Sequence, residues 1–297
     1  MDIVNQVLVL FLLILCGFVA AKSKCIREEG VHGLNSVLVN FSLPCMAIAK
    51  LQVDASPELM QDIVHMAILT AVTMLGCAAV VWFGICRHES PLRRAALSGM
   101  ALIPNSGFMG LPLIAAAFGE DKMIYGIIYV GVSNIITWSV GVALYDKKAL
   151  SWRRIFLIPT LVTSVLGLIL FVAEVRLPSV LLDTLEMLGD TTTPLAMFII
   201  GTHLVGLRLR DMRDAKLLLI CGLRLIVFPL AVYGLCLLLG VSQWTSGCMM
   251  LLTAMPCGSV LVIQAEDYHG DPALASRGVA ISTFLSIATI PLLLLLL

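Results

Sequence analysis

The chain has 297 residues, of which 60% are hydrophobic and 13% charged, and its mean hydropathy is +1.02. A soluble domain is usually about 25% charged, and its surface grows too fast relative to its volume to hide such an apolar excess, so a soluble protein is excluded. The formal net charge of zero names no bulk partner and gives no signal for nucleic acid.

Lipid accepts apolar side chains on the outside but requires every backbone N–H and C=O to be paired internally. Closed barrels would need alternating polar and apolar positions. The apolar runs here are continuous, so the expected fold class is an all-α membrane protein. A spanning helix needs about 20 apolar residues, and about ten candidates follow one another. They are Ile3–Ala21, Val31–Leu51, Ile63–Ile85, Ala95–Phe118, Met123–Tyr145, Ile155–Val172, Val180–Leu207, Leu217–Leu239, Trp244–Ala265 and Ala273–Leu297. The first has no basic region before it and leads directly into Lys22 and Lys24, so it reads as a retained helix rather than a cleaved signal. The connections are short and leave no room for a separate soluble domain. The nine cysteines are scattered through apolar runs without metal-ligand spacing, as small buried hydrophobes would be.

Basic residues set the expected orientation. The loops after odd-numbered helices hold fifteen of the nineteen Lys and Arg, from Lys22, Lys24 and Arg27 to Arg277. The even-numbered loops hold only Lys50, Lys122 and Arg176, and Arg224 lies inside a helix. This places both termini outside the cytoplasm, with the protein in the cytoplasmic (inner) cell membrane. Trp152 and Trp244 fall at predicted helix starts, where aromatic anchors belong. Five helices per half then make residues 1–148 and 149–297 two inverted repeats, a common transporter plan. Leu43-Pro44 corresponds to Thr193-Pro194, and Pro104–Pro112 to Pro256–Ser259, each at the same place in its half.

The fourth helix carries Pro104, Asn105, Ser106, Gly107, Gly110 and Pro112, with two prolines and two glycines in nine residues, and cannot stay regular. The ninth carries a second break at Pro256, Cys257, Gly258 and Ser259. Each break exposes a helix N-terminus whose unpaired N–H groups suit an anion. Two inverted breaks would bring two such ends together, with Asn105 and Ser259 adding neutral hydrogen-bonding groups. Arg224, in the middle of the eighth helix, costs about 2.5–3.5 kcal/mol at the bilayer centre on insertion scales. It reads equally as an attractor for an anionic substrate and as a clamp on broken-helix carbonyls. Asn134 and Thr137 lie one turn apart and face either a cavity or a packed neighbour. Asp190 to Thr193 offer two readings: a cation site near Thr191, Thr192 and Thr193, or a capped helix start. No enzyme motif occurs, and no carboxylate stands clearly at mid-membrane as a proton relay would require.

The run from Pro104 to Leu113 resembles the crossover helix of the auxin efflux carrier family, which includes plant PIN proteins and bacterial malonate and malate carriers. Asn40 to Pro44 is similar to that family's second helix, Ala196 to Gly201 to its seventh, Arg224-Leu225 with Pro229 to its eighth, and Met255 to Gly258 with Ala265 to Tyr268 to its ninth. The resemblance implies a scaffold part (1–52 and 149–207) and a transport part (60–147 and 214–297), a fold like that of bile acid sodium symporters, and a homodimer. It also implies that Asn105 and the crossover around Pro256 contact a substrate carboxylate. The long central cytosolic loop of plant members is missing, and Cys257 and Ser259 stand where plant members differ, so auxin itself is not implied. The expected function is alternating-access transport of a small organic anion, in the efflux direction, with no cofactor. A Na+- or H+-coupled importer of dicarboxylates or bile-acid-like anions is the alternative within transport. A receptor that binds the anion without moving it is the alternative of another class.

Overall fold

The structure, a computed structural model, describes residues 3–150, 157–206 and 213–297. Trp152, Arg153, Arg154, Arg208 and Arg210 lie outside the described residues. Among the described residues the regular structure is helical, and the only extended pairing is an isolated antiparallel bridge. The first half contains α1 (Ile3–Lys22), α2 (Glu28–Val37), α3 (Leu43–Lys50), α4 (Pro57–Ala79), α5 (Pro91–Leu102), α6 (Leu111–Phe118), α7 (Met123–Ile136) and α8 (Val142–Tyr145). The second contains α9 (Pro159–Val172), α10 (Ser179–Asp190), α11 (Thr192–His203), α12 (Ala215–Gly222), α13 (Phe228–Leu239), α14 (Gln243–Thr253), α15 (Val260–Asp267) and α16 (Pro272–Leu294). Five described stretches are long and apolar enough to cross a bilayer: Glu28–Lys50, Pro57–Ile85, Glu120–Tyr145, Ala215–Leu239 and Pro272–Leu294. Shorter apolar stretches occupy Leu8–Lys22, Ser106–Phe118 and Leu161–Val172.

Proline shapes several of these helices. It lacks an N–H and clashes with the carbonyl four residues back. Wide, five-residue turns (Leu38–Ser42, Ser106–Gly110 and Leu223–Val227) directly precede Leu43-Pro44, Leu111-Pro112 and Phe228-Pro229. Leu43 N–H bonds to Leu38 O and Phe228 N–H to Leu223 O, five residues back. The helix widens there and continues without breaking. Two sequence expectations need correction. Val180–Leu207 is not one helix, because α10 and α11 meet at Thr191, four residues before Leu195, and Pro194 cannot donate to the Asp190 carbonyl. The third helix begins at Pro57 rather than Ile63, since Ser56 Oγ accepts from Leu59 N–H (3.1 Å) and starts it earlier.

The chain forms two compact units. The first comprises the described residues of Met1–Val64, Gly107–Gly131 and Phe156–Val205. Within it α1 packs on α11 at backbone distance: Gly17 abuts the Phe198 carbonyl and Gly201 the Ile14 carbonyl. Close approach of this kind drives helix association where lipid removes the hydrophobic incentive. Likewise α3 packs on α10, with Gly189 against Met46, and on α9, with Gly167 against Leu51.

The second unit comprises the described residues of His65–Ser106, Val132–Ile155 and Gly206–Leu297. Its core gathers Val81, Leu97, Met100, Leu102, Cys221, Leu261 and Ile281. At one end an ionic network joins the loop after α4 to the start of α12. Arg93 donates to Asp214 at 2.7 and 2.8 Å and to Glu89 at 3.0 Å, and Lys216 also donates to Glu89. The Lys216 hydrogen bond holds Glu89 below the usual carboxylate range. Partial desolvation alone would raise Asp214, but the Arg93 hydrogen bonds and the Leu217 N–H bring it below its ordinary value. The folded state therefore binds fewer protons than the unfolded one. The contribution is present above the unfolded values and is lost as pH falls through the depressed folded ones. The melting temperature in detergent is expected to fall between pH 5 and pH 3. Asp214→Asn, which keeps the helix cap, should lower it by a few degrees at pH 7 and flatten that slope. An unchanged slope would remove the network from the account.

Candidate functional site

The two broken helices meet. α5 ends at Leu102, Ile103 is extended (φ −99°, ψ 99°), and Pro104 pairs antiparallel with Cys257 in the break after α14. Asn105 N–H donates to Pro256 O at 2.8 Å, and Gly258 N–H donates to Ile103 O at 3.0 Å. Backbone groups that proline and glycine release from one helix are thus satisfied by the other, as a membrane interior demands. Gly258 lets the two backbones approach closely, since a Cβ there would stand a tight 3.0 Å from Pro104 O. Cys257 is fully buried; its N–H donates to Ser282 Oγ (3.0 Å), and its thiol donates to Met100 O (3.4 Å).

An antiparallel crossing sets unlike helix ends side by side. The C-terminal ends of α5 and α14 carry partial negative charge, and the N-terminal ends at Ser106 and Ser259 carry partial positive charge. Arg224 attends to the first pair. It is only 3% exposed, and it donates from Nε to Met255 O (2.9 Å) and from Nη1 to Ala101 O (2.7 Å) and Met100 O (3.2 Å). Of the two readings open in the sequence, these bonds are those of the clamp.

The other pair of ends keeps its polar groups available. The Asn105 side-chain amide, the Ser106 hydroxyl and the Ser259 hydroxyl make no hydrogen bond among the described residues, although Ser106 is buried and the other two half-buried. Ser259 stands at the N-cap of α15 without using its side chain as a cap. Gly107 follows in the wide turn that ends at Gly110, and Pro112 sits at the start of α6. Asn134 is half-buried on α7, one turn before Thr137, whose carbonyl accepts from Gln264 Nε2 on α15 (2.7 Å).

Within the first unit a cavity of about 340 Å³ lies among α1, α3, α6 and α10. Leu10, Met46, Pro112 and Ala116 give it apolar walls, while Lys50, Glu120, Asp190 and Thr193 line it with polar groups. Lys50 and Glu120 pair at 2.5 Å. The neighbouring threonines diverge. Thr191 Oγ1 bonds with Ser42 Oγ (2.7 Å) and donates to Leu188 O (2.6 Å), and Thr192 Oγ1 is buried without a partner among the described residues. One group escaped the sequence reading. Asp62 is 8% exposed and accepts from Tyr125 Oη at 2.8 Å. A third span that starts at Ile63 puts Asp62 in a loop, whereas Ser56-Pro57-Glu58 signals the earlier start.

A family model described as membrane transport protein matches the chain twice, over residues 2–149 and 145–294. The chain belongs to this family, that of the auxin efflux carriers. Its relatives align over nearly the whole chain. An "Uncharacterized transporter" of Methanothermobacter thermautotrophicus is 27% identical over 297 residues, covering 97% of this chain and 96% of that protein. A "Putative malonate transporter" of Rhizobium meliloti is 24% identical over 307 residues, covering 97% and 94%. A lysosomal cholesterol signaling protein of Mus musculus is 20% identical over 305 residues, covering 93% of this chain and 35% of that protein. The protein is therefore a helical membrane transporter.

Proposed function

We propose that this transporter carries a small organic anion, a carboxylate, across the cytoplasmic membrane by alternating access, in the efflux direction. The observation that carries the reading is the crossing itself. Two helix N-terminal ends and three neutral side chains without a partner among the described residues, Asn105, Ser106 and Ser259, lie beside a break whose opposite ends are already neutralised by Arg224. Such donors suit a carboxylate without a buried ion pair. The reading includes ten spans in two inverted halves, supported by the two successive family matches. It also includes both termini outside the cytoplasm, a scaffold part (1–52 and 149–207) beside a transport part (60–147 and 214–297), and a homodimer. A potential of 100 mV, negative inside, is worth about 2.3 kcal/mol per charge, roughly 50-fold in concentration, and drives a monoanion outward without an ion partner.

The relative named for malonate favours dicarboxylates as the first compounds to try. Counterflow in proteoliposomes with mono- and dicarboxylates should show exchange, and Asn105→Ala should reduce it by about 10- to 100-fold, the worth of one or two charged hydrogen bonds. Exchange that Asn105→Ala leaves intact would move the substrate away from the crossing. Binding without counterflow would favour the receptor reading, to which the name of the mouse signaling relative gives some support.

A further inference from the structure

Arg224 is a buried cation with no anionic partner among the described residues. Among the described residues no carboxylate lies within ion-pair distance of it, and the titratable groups in its field are the thiols of Cys77, Cys221 and Cys257. Its three bonds go to carbonyls, at the last turn of α5 (Met100, Ala101) and just past the end of α14 (Met255). An unpaired charge in a membrane interior is costly unless something of opposite sign receives it. Here the negative ends of two interrupted helices receive it. In carriers built from discontinuous helices, those same carbonyl ends are where a coupling cation is coordinated.

We propose that Arg224 is a built-in replacement for a coupling cation: it fills with a tethered guanidinium the electrostatic position a bound Na+ would take, so this carrier runs without Na+. The inference rests on the transporter reading of the crossing. A fixed charge keeps the two C-terminal ends neutralised in every state of the cycle, whether or not substrate is bound. It contributes nothing to the driving force, because it never leaves the protein. Arg224 acts through the crossing and is thus a positioning residue.

The test compares wild type, Arg224→Lys and Arg224→Ala in Na+ and in choline, by carboxylate counterflow in proteoliposomes and by thermal unfolding in detergent. Wild type and Arg224→Lys should exchange at the same rate in both salts and unfold at the same temperature in both. Arg224→Ala should be slowed at least about tenfold in choline, and Na+ should recover much of the rate and raise its unfolding temperature. A merely structural arginine would leave the variant equally impaired in both salts, and that result overturns the proposal. Wild-type exchange that requires Na+ overturns it as well. If no acid on the panel moves, the substrate reading fails, but the unfolding comparison still decides the role of Arg224. If Arg224→Ala cannot be purified, Arg224→Gln takes its place in the same comparison, and Na+-dependent unfolding of wild type or Arg224→Lys would still refute the proposal.

Discussion

Gly201→Leu is expected to prevent assembly of α1 against α11. A Cβ at Gly201 would overlap the Ile14 carbonyl oxygen and press on Phe18 N, and the reciprocal contact sets Gly17 against the Phe198 backbone. The obstacle on both sides is main chain, so no rotamer change relieves it. Overpacking against side chains costs about 1–3 kcal/mol, and a backbone obstacle sits at or above the top of that range. At about 2–4 °C per kcal/mol for chains of this size, the unfolding temperature should fall by roughly 10 °C or the protein should fail to elute as a single species. Gly234→Ala is the control: nothing lies within 4 Å of a Cβ there, and alanine is the better helix former by about 1 kcal/mol. Equal behaviour of the two variants would show that the α1–α11 contact is looser than described.

Gly258→Val should abolish transport while leaving the protein folded. The new side chain would meet Pro104 O at 3.0 Å and Ile103 Cγ2 at 3.4 Å, forcing apart the strands of the crossing. The Gly258-to-Ile103 and Asn105-to-Pro256 hydrogen bonds would lengthen together, because they flank the same bridge. Each buried backbone group left unsatisfied costs about 1–3 kcal/mol, and the N-terminal ends that face the substrate would move with it. Counterflow at equal reconstituted amounts should drop by about 100-fold or more, with the unfolding temperature lowered by roughly 10 °C at about 2–4 °C per kcal/mol. Near-normal exchange would mean that the crossing tolerates distortion and that recognition lies elsewhere, with the cavity lined by Lys50, Glu120 and Asp190 as the next place to look.

Sequence and structure divide the determination of this protein along a physical line. Composition and continuous apolar runs determined that it is helical and membrane-embedded, because lipid admits no unpaired backbone and tolerates few charges. Pro104 and Pro256 fall at the two interruptions, since proline acts through its own backbone, whereas Pro112 stands at the start of α6, into which the wide turn runs without a break. The position of Arg224 inside an apolar run already required a partner. Tertiary structure decided which partner: the carbonyls of Met100, Ala101 and Met255 are separated from Arg224 by more than a hundred residues on one side and some thirty on the other. A backbone oxygen has no signature in a sequence. The same holds for Gly17 and Gly201, since a glycine facing lipid and one pressed on a carbonyl read alike. It holds for Asp62, whose burial depends on Tyr125 reaching it from another helix. Local chemistry is written residue by residue, whereas the pairing of distant backbone groups exists only once the chain has folded.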